Sequence, residues 1–180
     1  MRIVAGAFRG RRLKTPAWEG LRPTSDRLRE TLFDILGDAV RGARVLDGYA
    51  GTGAIGIEAL SRGAAGVTFV EVDRRAVRLI EQNLASLAIP IGRDLQGGHA
   101  NIRSGFRGLP AASFEVIVLD PPYAPDAAAE ALAAASDLIA PGGRLVVEHA
   151  ARHAPPLARG RLRLLRTVTA GDSALSFYGF

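Results

Sequence analysis

Between residues 44 and 147 the chain alternates short apolar runs with stretches of helical periodicity, and no other feature restricts its fold as strongly. Apolar runs at 44–47, 67–71, 114–119 and 145–147 read as buried strands. Between them lie helical stretches at 54–62, closed by Gly63, at 74–88, with Val77, Ile80, Leu84 and Leu87 on one face, and an alanine-rich one at 126–139. Strands that alternate with helices require right-handed crossovers, so a parallel sheet covered on both faces is expected. A further helix is predicted upstream. Leu28, Leu32, Ile35 and Leu36 recur at helical spacing, with Thr24, Ser25 or Asp26 as N-cap and Gly37 as terminator. Residues 89–105 are ambiguous: a weak strand at 101–103 would fill a missing slot, while Gly92, Gly97 and Gly98 point to a loose loop before it. After the last parallel strand, runs at 162–168 and 174–178 flank Ala170-Gly171-Asp172-Ser173, the pattern of a β-hairpin. The expected fold is α/β, mostly parallel, with a C-terminal antiparallel hairpin.

With 180 residues, 48% of them apolar, the chain suffices for one substantial core. We expect that core in residues 24–180, preceded by a Gly-, Pro- and Arg-rich arm or hairpin over 1–23. No run of 18 apolar residues and no secretory leader is present, which predicts a cytoplasmic protein without membrane contact. Cysteine is absent and the three histidines are scattered, so neither a thiolate nucleophile nor a metal site is expected. Residues 1–29 carry eight bases against Glu19 and Asp26, while the remainder is close to neutral, so the net charge of +5 is weighted toward the arm. Lys14 is the only lysine among 23 basic residues. A GC-rich genome explains such a bias as well as function does, but arginine's planar fork suits phosphates and base edges.

The first chemical signal is Val45-Leu46-Asp47-Gly48-Tyr49-Ala50-Gly51-Thr52-Gly53-Ala54-Ile55-Gly56, a strand that runs into a glycine loop and opens a helix. Gly51, Gly53 and Gly56 fit the G-x-G-x-x-G pattern of nucleotide-binding loops, by itself a weak signal. Asp47, however, stands at the strand end before the first glycine, where a cationic ligand is better served than a pyrophosphate. S-Adenosylmethionine carries such a cation and no phosphate. Glu71 follows Gly51 by 20 residues, at the end of the next strand, where a carboxylate can accept ribose hydroxyls. Asp73 reads as a solvated first-turn residue.

The second signal is Asp120-Pro121-Pro122-Tyr123, directly after the strand at 114–119. Consecutive prolines stiffen the backbone and cannot donate, so the neighbouring carbonyls are held outward. An aromatic amine is a poor nucleophile because its lone pair is delocalised. The Asp120 carboxylate and the Pro121 carbonyl can bind its two N–H groups and turn the lone pair outward, while Tyr123 stacks on the flipped-out base. A plain surface turn is the competing reading, weakened by the position at the carboxyl edge of an α/β sheet, where ligands bind.

On these residues the chain resembles the RsmD family of bacterial small-subunit (16S) ribosomal RNA guanine-N2 methyltransferases, over nearly its whole length. The matching pieces are Met1-Arg-Ile-Val-Ala-Gly6, Arg9-Gly-Arg-Arg-Leu13, Leu21-Arg-Pro-Thr-Ser-Asp-Arg-Leu-Arg-Glu30, the loop from Asp47 to Gly53, Gly56-Ile-Glu-Ala-Leu-Ser-Arg-Gly63, Asp120 to Tyr123, and Gly171-Asp-Ser-Ala-Leu-Ser-Phe-Tyr178. The Arg-Pro-Thr-Ser-Asp-Arg segment singles out this family, because many methyltransferases share the other motifs. The resemblance implies a class I methyltransferase with a Rossmann-like sheet that uses S-adenosylmethionine to methylate the exocyclic N2 of a guanine in 16S rRNA or a small-subunit assembly intermediate, as a monomer without metal. It implies a cofactor site of Asp47, Tyr49, Gly51, Thr52, Gly53, Glu71, Val72, Ser104, Gly105 and Asp120, and catalysis by Asp120, Pro121, Pro122 and Tyr123. It further implies that Arg22, Thr24 and Arg27 close over the cofactor or base and that Arg9, Arg11 and Arg12 hold phosphates. Two departures stand out: the family usually has Phe where this chain has Tyr49, and Ser104-Gly105-Phe106 stands where many relatives place an Asp or Asn facing adenine. Methylation of DNA adenine N6 or a protein glutamine, and a silent RNA-binding assembly factor, are the alternatives. A nicotinamide dehydrogenase is disfavoured, because Lys14 cannot supply a suitably spaced Tyr-Lys pair.

Overall fold

The computed structural model describes residues 1–16, 18, 26–92 and 99–180. The strands expected from the apolar runs are β1 (Arg44–Gly48), β2 (Gly66–Val70), β4 (Phe114–Leu119) and β5 (Ile139–Ala150), and with the less buried β3 (His99–Arg103) they form a parallel array. The short β6 (Ala158–Arg159) and the hairpin of β7 (Leu162–Ala170) and β8 (Ser173–Gly179) extend the sheet antiparallel, in the order β3-β2-β1-β4-β5-β8-β7-β6. Strand order reverses between β1 and β4, which opens a crevice at their carboxyl ends.

Alternate residues of the strands feed two cores. Val45, Val116, Val118 and Val146 pack on the face covered by α1 (Asp26–Leu36), α2 (Ala54–Ser61) and α3 (Arg74–Ser86). Leu46, Ile117, Leu145 and Val147 meet α4 (Ala127–Ala135) on the other. β2 and β4 are buried almost throughout, as strands covered on both faces must be. α1 buries Leu28, Leu32 and Leu36 and gives way to a 3-10 turn at Gly37–Val40, with Gly37 at φ 52°.

Two elements differ from expectation. β5 begins at Ile139, after a turn at 136–138 that follows α4, and takes in Pro141-Gly142-Gly143 through a register shift against β4. Proline and glycine hid that half of the strand, and α4 is correspondingly shorter than residues 126–139. β3 fills the slot left open in the sequence, while Gly97 and Gly98 fall outside the described residues.

Residues 1–13 form a small hairpin, bridged at Arg2 and Arg12, with Ile3 and Leu13 in the core. Glu58 of α2, fully buried, accepts from the Val4 and Ala5 amides at 2.8 and 2.9 Å. Ser61 binds the Ala5 carbonyl and the Phe8 amide, and Asn83 of α3 bridges Lys14 to the Thr52 carbonyl. No described helix is long and apolar enough to cross a membrane.

Candidate active site at the carboxyl edge of the sheet

Because β1, β2, β3 and β4 run parallel, Asp47, Glu71, Ser104 and Asp120 reach the same edge, each at or just past the end of its strand. The Asp120 amide donates to the Gly48 carbonyl at 3.1 Å, which ties the proline turn to the glycine loop. The loop is strained: Tyr49 sits at φ 63°, a left-handed conformation unfavourable for a tyrosine, and its half-exposed ring leans against Phe106, centroids 5.8 Å apart. Gly56 marks where helix meets sheet, since a Cβ there would lie 2.3 Å from the Phe69 ring.

Asp47 is buried to 1% exposure and accepts from the Gly56 amide at 2.8 Å. Burial pushes its carboxyl up to about 8, against the opposing pull of that hydrogen bond and with a smaller push from the Glu71 charge. A carboxylate held this way gains from a cation placed beside it. Glu71 is partly spoken for: one oxygen accepts from the Gly51 amide at 2.8 Å and the other from the Val72 and Asp73 amides at 2.7 and 2.8 Å. The first oxygen keeps a lone-pair direction for a hydroxyl, so Glu71 both closes the glycine loop and fits a ribose. Val72, beside it, is the most exposed large apolar side chain at this edge, at 75%. These groups match a ligand that is cationic at one end and a nucleoside at the other.

Asp73 caps α3 and takes a bidentate contact from Arg75, whose hydrogen bonds hold its carboxyl down to about 2. The Arg75 guanidinium in turn lies 5.1 Å from the centre of the Trp18 ring. In the proline turn, Pro121 is buried and Tyr123 half-buried, with its hydroxyl donating to Glu148 of β5 at 2.8 Å and meeting Ser173 of β8 at 2.7 Å. Burial, assisted by Glu148, raises the phenol above its ordinary range, so Tyr123 stays a neutral ring with a pinned tip.

The arginines expected to hold phosphates are less gathered. The tip of the hairpin, Arg9 included, lies at the Ser61 end of α2, remote from the glycine loop, and Arg11 donates to the Ser86 carbonyl at the end of α3. Arg27 is exposed on α1, and Arg22 and Thr24 lie outside the described residues. Sequence reasoning missed Glu58, Ser61, Asn83 and the fully buried Arg29, which contacts Asp26, Glu58 and the Arg2 carbonyl. An acid inside α2, a helix buried on every side, was the available signal. No cluster of His, Asp and Glu among the described residues would hold a metal ion.

A parallel sheet with an antiparallel C-terminal pair, a glycine loop after β1 and an acid after β2 defines a class I methyltransferase fold. A family model described as conserved hypothetical protein 95 matches residues 1–179. The chain belongs to that family, alongside the ribosomal RNA small subunit methyltransferase D of Escherichia coli K12, with which it shares 36% identity over 180 residues, 99% of this chain and 89% of the relative. The Haemophilus influenzae protein of the same name is 39% identical over 68% of this chain and 64% of its own length. Among solved structures, an Escherichia coli protein assigned as a methyltransferase superposes with a TM-score of 0.82 at 34% identity, covering 99% of this chain and 96% of that one. An RNA methyltransferase from Salinibacter ruber in complex with S-adenosyl-L-homocysteine shares the fold, with a TM-score of 0.64 at 18% identity over 87% of this chain and 92% of its own.

Proposed function

We infer that this protein transfers a methyl group from S-adenosylmethionine to ribosomal RNA, and that the acceptor is the exocyclic N2 of a guanine in the 16S molecule. The observation that carries the reading is the position of Asp120-Pro121-Pro122-Tyr123: past the end of β4, hydrogen-bonded to Gly48, beside a loop whose Asp47 favours a cation. The resemblance of the chain to ribosomal RNA methyltransferases supports the choice of RNA.

When bound, S-adenosylmethionine supplies a methyl group made electrophilic by a sulfonium. Asp47, held by the Gly56 amide, would receive the cationic end, Glu71 would accept a ribose hydroxyl on the oxygen bound to the Gly51 amide, and Tyr49, Thr52, Val72, Ser104 and Gly105 would complete the wall. Asp120 and the Pro121 carbonyl accept the two N–H groups of the amine and aim its lone pair. Pro122 keeps that carbonyl rigid, and Tyr123, anchored through its hydroxyl, presents a flat face to the base. The bound cofactor would supply the methyl group to that lone pair, its sulfonium becoming a neutral thioether. The nitrogen then loses a proton to Asp120 or water. Most of the acceleration comes from positioning and charge placement, with no base of unusual pKa required.

On this reading the protein works in the cytoplasm as a monomer, on the small subunit or an assembly intermediate, with Arg9, Arg11 and Arg12 on phosphates. Labelled S-adenosylmethionine offered with immature small subunits, naked 16S rRNA, DNA and a glutamine-bearing protein should mark RNA. The Asp120→Ala variant should transfer at least about a hundredfold more slowly. Label in DNA or protein alone, or an unchanged rate for the variant, would replace this function with one of its rivals.

A further inference from the structure

We propose that a groove under the C-terminal edge of the sheet is a second binding site for the phosphate backbone of the RNA substrate, with Arg144 and Arg166 as its ligands; this rests on the RNA reading above. The groove, about 550 Å³, lies at the amino-terminal ends of β4 and β5, the sheet edge opposite Asp120. Ile35 and Leu36 at the end of α1 form one wall, Phe177 and Leu165 form apolar floor, and Arg144 and Arg166 border it.

The geometry is specific to this hairpin. Arg163 pairs with Gly179 and Arg166 with Phe177, while Leu165 is the extra residue of a bulge between Leu164 and Arg166. In a regular strand, residues three apart face opposite ways, but here the bulge turns Arg163 and Arg166 to the same face. Arg144 joins them across β8: a Cβ on Gly179 would lie 3.3 Å from the Arg144 guanidinium and 2.8 Å from Leu165. Gly179 thus lets Leu165, itself 54% exposed, and the Arg144 guanidinium close over the β8 backbone, which brings arginines of two strands to one apolar surface.

The charge is unbalanced. Residues 151–168 hold five arginines and no acid. Glu115, the acid bordering the groove, is matched by Arg44 at 2.6 Å. The Arg166 side chain makes no hydrogen bond or ion pair among the described residues, and Arg144 uses one nitrogen on the Gly142 and Gly143 carbonyls, leaving other donors of its fork. Guarding a sheet edge against mispairing needs charge on the edge, not three cations brought to one face over an apolar floor. Cations beside apolar surface fit a nucleotide, phosphate on the guanidinium and base or sugar on the floor. Leu119, next to Asp120, pairs with Val147, three residues along β5 from Arg144, so about 10 Å of strand separates the groove from the reactive edge and one RNA segment spans both.

The test compares the full-length protein with a double variant, Arg144→Ala with Arg166→Ala, by fluorescence anisotropy on naked 16S rRNA fragments and on small subunits over a salt series. We expect affinity for both to fall at least tenfold and the slope of log affinity against log salt to shrink by about 1.5, two phosphate contacts' worth. The Arg→Lys pair should retain the slope, and in turnover the loss should fall on KM for RNA rather than on kcat. An unchanged slope overturns the proposal, and so does weakened binding to particles with naked RNA unaffected, which would assign the groove to a protein. Because anisotropy reads binding without turnover, a wild-type enzyme that binds RNA but methylates none of it would count against the function and leave the groove standing.

Discussion

Asp47 holds its proton in the folded, ligand-free protein well above the pH at which it would lose it in an unfolded chain, because burial disfavours the charge: about 8 against 3.8. The folded state therefore binds more protons than the unfolded state between those values, and stability falls as pH rises through that window, levelling off above about 8. A cationic ligand reverses the preference by stabilising the carboxylate, so binding near pH 7 should release a proton from Asp47. Titration calorimetry of S-adenosylmethionine in two buffers of different ionisation enthalpy reads that release. The Asp47→Asn variant keeps an acceptor for the Gly56 amide, so its melting temperature should lose part of the wild-type decline between about pH 5 and 8, while it binds cofactor at least tenfold more weakly. A melting profile as steep as that of the wild type would show that Asp47 is already ionised in the free protein. The spacing of Asp47, Gly51 and Glu71 made this cluster legible in the sequence. What the sequence did not display is that Glu71 also clamps the loop through the Gly51 amide, because a side chain's second partner depends on how closely β2 brings it to the turn.

At the scale of elements, periodicity revealed β1, β2, β4, the second half of β5 and the C-terminal hairpin, since a strand buried on both faces is a continuous apolar run, whereas the polar, half-buried β3 was only a weak signal. It failed where chain-breaking residues sit inside an element, as in the Pro141-Gly142-Gly143 start of β5, and where polar side chains serve backbone from another part of the chain. Glu58 is the clearest case. Within α2 it looks like one acid on a helix, yet it holds two hairpin amides, Arg62 and the buried Arg29. Replacing it with Ala leaves the buried Arg29 cation with the largely exposed Asp26 as its remaining ion-pair partner and the Val4 and Ala5 amides without an acceptor, and should cost about 3–5 kcal/mol. Glu58→Gln keeps an acceptor for one amide and loses the charge, so it should fall between. Urea unfolding followed by circular dichroism ranks the three proteins. A Glu58→Ala loss below about 1 kcal/mol would mean that the hairpin is held by its apolar contacts alone.

The molecule as a whole depends on that hairpin more than an arm of basic residues would suggest. Ile3 and Leu13 lie in the same core as α1 and the sheet, and Glu58, Ser61, Asn83 and Arg29 point their buried polar groups at residues 1–14. Removing residues 1–16 would lose the burial of two aliphatic side chains, about 1.5–3 kcal/mol each. It would also leave four buried polar side chains short of partners, at about 1–3 kcal/mol apiece. The total is as large as the 5–15 kcal/mol or so that holds a typical domain together, so relaxation of α1 and entry of water would have to recover most of it for the remainder to stay folded. We therefore expect the chain from residue 17 onward to lack a cooperative melting transition and to fail to bind S-adenosylmethionine, although the described residues of the glycine loop and the proline turn lie outside the deleted segment. A truncated protein that melts cooperatively within a few degrees of the intact one, and still binds cofactor, would make the N-terminal hairpin an accessory to the sheet rather than part of its core.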